Sequence, residues 1–171
     1  YRVMNDSIED ALVKVIKEIK GSYAFVILTP KKLIGIRDPF GIRPLCIGRL
    51  DNSYVLSSES AALDAIGAEL VRDVSPGEIV VISEEGLKSI QTETPGRSCL
   101  CIFEFVYFAR PDSVIDNVSV HKARVEAGRI LAREHPVEAD IVIGAPDGGL
   151  NAALGYARES GIPYGQGLLK N

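Results

Sequence analysis

The 171-residue chain is 46% apolar and carries 19 basic against 23 acidic residues, a net charge of -4. That length and apolar content suffice for one domain or two small ones, and the dispersed lysines and arginines supply no basic field for nucleic acid. The longest apolar run is far short of the ~20 residues of a membrane helix and nothing reads as a signal peptide, so a cytoplasmic protein without membrane or nucleic-acid partners is expected. Three cysteines, Cys46, Cys99 and Cys101, are an odd number without a secretory context, which argues for free thiols or a metal role over a disulfide framework.

The first element is an amphipathic helix. Asp6 or Ser7 can cap it, Ile8, Leu12, Val15, Ile16 and Ile19 recur at helical spacing, and Gly21 suits its end. Strands follow at Tyr23 to Leu28 and Leu33 to Ile36, joined by a turn at 29–32. The loop from Arg37 to Leu45, RDPFGIRPL, is held by two prolines and sets two arginines and an aspartate among apolar neighbours; on the residues alone it reads as a rigid corner with an Arg-Asp pair. A second hairpin spans Cys46 to Gly48 and Tyr54 to Ser57, and Ser58-Glu59-Ser60 opens a short helix in which a hydroxyl serves as the N-cap. Three more strands at 69–71, 78–82 and 87–90 make this half mostly antiparallel, and the stretch from Thr92 to Ser98 has the composition of a connector.

The densest apolar run, CIFEFVYFARPDS at 101–113, marks the change of pattern. Its residues alternate as a strand covered on both faces would, with Arg110-Pro111-Asp112 ending it, while Glu104 and Arg110 require partners. Beyond it, a helix at 120–134, a short buried strand at 141–143 and a helix at 149–160 follow the order that opens a parallel sheet. The loop Gly144 to Gly149 leads from that strand into a helix N-terminus, where backbone N–H groups favour an anion such as phosphate, although many such loops carry glycine for turn geometry only. There is no Cys-x-x-Cys, HExxH or nucleophile elbow, the two cysteines Cys99 and Cys101 are wrongly spaced for a common zinc knuckle, and His121 and His135 read as surface residues.

Taken together, GSYAF at 21–25, RDPFGIRPL at 37–45, SSES at 57–60 and FEFVYFARPDS at 103–113, with a match continuing to Asn171, resemble the glutamine phosphoribosylpyrophosphate amidotransferases over essentially the whole chain. FEFVYFARPDS is specific to that family, whereas the RDPxGIRPL and SSES pieces have relatives in asparagine synthetases. The resemblance implies an α+β fold, the second half of an N-terminal-nucleophile glutaminase αββα sandwich, followed by the start of an α/β phosphoribosyltransferase domain. The implied divisions are 1–98 for the glutaminase part, 99–120 for a junction strand and connector, and 121–171 for the phosphoribosyltransferase part.

The implied activity uses glutamine and phosphoribosylpyrophosphate to make phosphoribosylamine, the first committed step of purine nucleotide synthesis, in a homo-oligomer. The family's nucleophile is an N-terminal cysteine, and the chain begins with Tyr1, so an internal piece of the enzyme, inactive by itself, is expected. A non-catalytic binding or assembly module on the same scaffold, or an asparagine-synthetase-like amidotransferase, is the alternative. Carried over by position, Arg37, Asp38, Arg43, Ser58 and Glu59 are framework of the glutamine site, and Asp147, Gly148 and Gly149 form the pyrophosphate loop. At the last loop position the family commonly has a serine that contacts magnesium; Gly149 offers no hydroxyl, so backbone anion binding is expected without that contact. Cys101 occupies the position of the first ligand of the four-iron four-sulfur cluster carried by one branch of the family, and Cys99 is expected not to be a ligand.

Overall fold

A computed structural model describes residues 7–92 and 98–170. The expected cap at Asp6 and most of the connector from Thr92 to Ser98 lie outside the described residues. Helix α1 (Ile8–Glu18) begins at Ser7, whose hydroxyl accepts the Asp10 N–H at 3.2 Å. Strands β1 (Ala24–Leu28), β2 (Leu33–Arg37), β6 (Glu78–Ser83) and β7 (Gly86–Gln91) form one antiparallel sheet in the order β1-β2-β6-β7. Strands β3 (Cys46–Leu50), β4 (Ser53–Ser57) and β5 (Glu69–Asp73) form a second, in the order β4-β3-β5, with helix α2 (Ser60–Ala65) between β4 and β5 in sequence.

Strand alternation sorts the apolar residues into three layers. Ile34, Ile36, Ile79 and Val81 face α1 through Ile16, Leu12 and Ile8. Their neighbours on the other face, including Val80, meet Leu45, Ile47, Leu56 and Val74 between the two sheets. Cys46 and Val55 point the opposite way and pack under Leu63 of α2. The order is therefore helix, sheet, sheet, helix. Two glycines allow the close approach: a Cβ on Gly35 would stand 2.8 Å from Leu56, and one on Gly48 would stand 2.6 Å from Leu63.

The second part departs from the sequence expectation at two elements. The run at 101–113 is not a strand: Glu104–Phe108 forms a single π-helical turn. Its apolar content does not place it in a core, because Ile102, Phe103, Val106, Tyr107 and Phe108 remain exposed, while Phe105 packs with Ala109, Ile115 and Val120. Strand propensity reflects fit to a pleated, half-buried surface, and here no ladder partner accompanies the run among the described residues. The expected strand at 141–143 is reduced to a parallel bridge between Val142 and Tyr164.

A short hairpin, β8 (Val114–Ile115) and β9 (Val118–Ser119), was not anticipated; Asp116 and Asn117 form its turn with φ of 46° and 65°. It runs directly into helix α3 (Val120–Glu134), capped by the Ser119 hydroxyl, which packs on α4 (Gly148–Ser160).

Candidate functional site

The loop from Asp38 to Pro44 is built by its own aspartate. Asp38 is fully buried, and its two carboxylate oxygens accept the N–H groups of Phe40 at 3.0 Å and Arg43 at 3.1 Å. Its backbone carbonyl accepts Gly41 and Gly77, so the loop is tied to the turn before β6. The expected Arg-Asp pairing inside this loop is not what forms. Arg37, 1% exposed, donates to the carbonyls of Arg43, Val74 and Gly41 and, through both terminal nitrogens, to Asp116 in the β8–β9 turn at 2.8 and 3.0 Å. All five N–H groups of the guanidinium are thereby used, which is what allows the charge to be buried.

Asp73 lies beside this pair. Burial and then the Asp116 carboxylate push its carboxyl upward, against the pull of Arg37 and of the backbone N–H groups of Asp116 and Asn117. A cavity of about 410 Å³ opens here, lined in part by Arg37, Asp73, Ser75 and Asp116.

Further ties join the loop and the α2 start to the second part. The Cys99 and Cys101 N–H groups donate to the carbonyls of Phe40 and Ile42. Arg43 pairs with buried Glu104 at 2.8 Å and lies over the Phe108 ring at 5.3 Å, supplying the partner Glu104 requires. Glu59 accepts the Arg110 N–H at 2.8 Å and the Ser113 hydroxyl at 2.9 Å, and the Ser60 hydroxyl accepts the Val114 N–H at 2.8 Å. These side chains therefore bind the 110–114 segment rather than capping α2. The Arg110 guanidinium itself forms an exposed fork with Asp112. Of the five framework positions, Arg37, Asp38, Arg43 and Glu59 converge on this junction, and Ser58 is exposed beside Glu59.

The loop ahead of α4 is a separate feature. Gly144 is a close-packing position, since a Cβ there would stand 2.7 Å from Leu150 Cα. The Gly149 N–H is bonded to the Ala145 carbonyl, and the Asp147 side chain reaches Lys170 at 3.1 Å instead of capping the helix. A Cβ on Gly148 would stand 3.1 Å from the Val106 carbonyl, so the π-helical turn abuts this loop.

The cysteines are dispersed in environment: Cys46 is buried, Cys101 half-buried and Cys99 exposed. Among the described residues no group of three or more His, Cys, Asp or Glu could hold a metal ion. One thiol at Cys101 does not fit a four-iron cluster, which takes four thiolates, so these residues do not form such a site by themselves. No helix among them is long and apolar enough to cross a membrane.

The residues missed by sequence reasoning are Asp116, Ser60, Ser113 and Arg124. The Asp116-Asn117 dipeptide between Val114-Ile115 and Val118-Ser119 was a legible hairpin signal. The others act through contacts 15 to 54 residues away in sequence, which no local pattern shows.

Residues 2–65 match the family described as a glutamine amidotransferase domain. The amidophosphoribosyltransferase of Archaeoglobus fulgidus is 49% identical over 171 residues, all of this chain and 37% of that protein. The enzyme of the same name from Bacillus subtilis is 45% identical over 165 residues, 96% of this chain and 35% of its own. A solved structure of glutamine phosphoribosylpyrophosphate amidotransferase from B. subtilis, complexed with ADP and GMP, superposes with a TM-score of 0.95 at 44% identity, covering 99% of this chain and 37% of that one. The two-sheet sandwich, the junction and the helices beyond it are thus matched as one continuous stretch of proteins named amidophosphoribosyltransferase, and the chain spans 37% and 35% of the length of these two curated relatives.

Proposed function

We propose that this chain is part of an amidophosphoribosyltransferase that acts on glutamine and phosphoribosylpyrophosphate. Water cleaves the glutamine amide to give glutamate and ammonia; the ammonia nitrogen then bonds to C1 of the ribose as the C1–O bond to pyrophosphate breaks. The products are phosphoribosylamine and pyrophosphate. The observation that carries this reading is the continuous relationship to enzymes of that name across both parts of the chain, 49% identity over all 171 residues.

Within it, Arg37, Asp38, Arg43 and Glu59 order the glutamine half from behind: their hydrogen bonds are spent on backbone and on the junction, which leaves them framework rather than reacting groups. Ser58 is retained as a framework position on resemblance. Asp147, Gly148 and Gly149 form the pyrophosphate loop, where the N-terminus of the 13-residue α4 favours a negative charge and the glycines present no side chain to block it. Magnesium accompanies the phosphoribosyl substrate in this reading, with no hydroxyl contact from Gly149. Cys101 is a single ligand of an iron-sulfur cluster whose other thiolates come from outside this chain. The protein works in the cytoplasm as a homo-oligomer.

The test is pyrophosphate release by the full-length protein. Glutamine with phosphoribosylpyrophosphate should support it; glutamine-dependent asparagine formation from aspartate and ATP, without pyrophosphate from the phosphoribosyl substrate, would select the asparagine-synthetase-like alternative instead. Binding of neither substrate set would point to the non-catalytic module.

A further inference from the structure

The buried Arg37 and the β8–β9 turn lie 79 residues apart in sequence, yet they share a two-pronged ion pair. Asp73 lies beside the same turn, lining one cavity with Arg37, Asp116 and Asn117. The hairpin the turn closes is fixed to the preceding segment, with Val120 donating to the Ser113 carbonyl and His121 to the Pro111 carbonyl. Ser119 of the hairpin caps α3. α3 in turn meets α4 at backbone distance: a Cβ on Gly128 would stand 1.8 Å from the Ala152 carbonyl oxygen, and one on Gly155 would stand 1.9 Å from that of Val125. Such a contact transmits position, since neither helix can slide without a clash. α4 starts at the loop assigned above to pyrophosphate.

From this series of contacts we propose that Asp116 is a positioning residue: by pairing with Arg37 it sets α3 and α4, and with them the loop at 147–149, relative to the glutamine half of the molecule. This rests on the proposed function. Ammonia made in one half must meet the ribose carbon held in the other, so an error in their relative placement loses ammonia to solvent without slowing its formation. A misplacement of about 1 Å can cost on the order of 100-fold in a reaction that depends on orientation.

The turn permits a clean variant. Asparagine is tolerated at positive φ at least as well as aspartate, as Asn117 in the same turn shows, so Asp116→Asn keeps the turn and removes the charge that Arg37 requires. Asn117→Gly perturbs the same turn and leaves the pair intact.

In the full-length protein, Asp116→Asn should raise the ratio of glutamate formed to pyrophosphate released at least about threefold, with glutamate formation within about twofold of wild type, and Asn117→Gly should leave the ratio unchanged. An unchanged ratio in Asp116→Asn, or glutamate and pyrophosphate formation falling together in step with the melting temperature, overturns the proposal. If the wild type releases no pyrophosphate, the functional reading fails, and amide exchange decides the positioning claim. Asp116→Asn should then speed exchange at 120–124 and 148–152 while sparing β1; a change confined to 114–119 overturns it.

Discussion

Arg124, one turn into α3, donates from its Nη2 to the Ala109 carbonyl at 2.8 Å and from its Nε to the Phe105 carbonyl, so a buried arginine satisfies two carbonyls of the π-helical turn and its exit. Burial pulls its pKa down, yet an arginine stays charged at any ordinary pH. Arg124→Met keeps the stem and deletes both bonds. It should destabilise the fold by about 1–3 kcal/mol, two carbonyls being left without their charged donor. Thermal unfolding should move down by roughly 2–4 °C per kcal/mol for a chain of this size. Arg124→Lys, unable to fork, should recover less than half of the loss.

Gly128 and Gly155 invert the usual helix rule. Alanine in place of glycine gains about 1 kcal/mol of helix propensity at an ordinary site. Here the new methyl would overlap a carbonyl oxygen of the facing helix at 1.8 or 1.9 Å. Either substitution should therefore cost at least about 2 kcal/mol net, through separation of α3 from α4, and the double variant should cost less than the sum of the two because the first already opens the contact. Chemical denaturation of the three variants measures it.

The sandwich was legible because its strands alternate and its turns carry glycine, proline or Asp-Asn; β1 to β7 fall close to where periodicity places them. The run at 102–108 misled the same reasoning. Alternation predicts two covered faces, but Glu104 at its start is drawn to Arg43 and Arg124 collects carbonyls at Phe105 and Ala109, and these polar contacts wind the segment into a turn. The strand at 141–143 shows a related limit. An apolar triplet is a strand only if a ladder forms on it, and Val142 finds a single bridge. At the site, RDPFGIRPL announced a rigid corner, whereas the partner of Arg37 lay beyond the reach of any local pattern.

Glu78, 2% exposed, sets the acid limb of stability. Burial pushes its carboxyl up, but the Arg72 fork at 2.7 and 2.8 Å, the Ser89 hydroxyl and the Ser75 N–H outweigh it and hold the pKa below the usual 4.5. A carboxyl whose folded pKa lies below its unfolded one contributes stability that is full above the unfolded value and lost as pH falls through the folded value. Glu78→Gln should therefore melt lower than wild type near neutral pH, and the difference should shrink below pH 4.5. Asp73 runs the other way: its raised carboxyl costs stability when ionised, so Asp73→Asn should be least penalised near neutral pH and should compare progressively worse with wild type as acid protonates Asp73.

The three thiols should separate by reactivity. Cys46 is buried under Leu63, and burial, aided by Asp73 and Glu59, pushes its pKa up to about 12. Almost no thiolate is present at pH 8, and an alkylating reagent has no path to it. Cys99 is exposed and Cys101 half-buried. In cluster-free protein, iodoacetamide followed by peptide mass spectrometry should label Cys99 first, Cys101 more slowly, and Cys46 only in denaturant. Early labelling of Cys46 would mean that α2 lifts from its sheet in the native state.

Glu59 offers the sharpest local test, because one carboxylate oxygen accepts both the Arg110 N–H and the Ser113 hydroxyl. Glu59→Gln can keep at most a weaker, neutral version of these bonds, and Glu59→Ala keeps neither. Hydrogen bonds to a charged group contribute about 1.5–3 kcal/mol each where they are shielded, and about half of that is expected here because the Arg110 side of the contact is exposed. The order of stability should be wild type, Gln, Ala. The Arg110 amide, which donates to Glu59, should exchange faster in both variants, whereas the Val114 amide, held by Ser60, should change little. If both amides accelerate equally, the 110–114 segment opens as one unit and Glu59 is only one of its fastenings; if neither does, the carboxylate contributes nothing to holding the segment on α2.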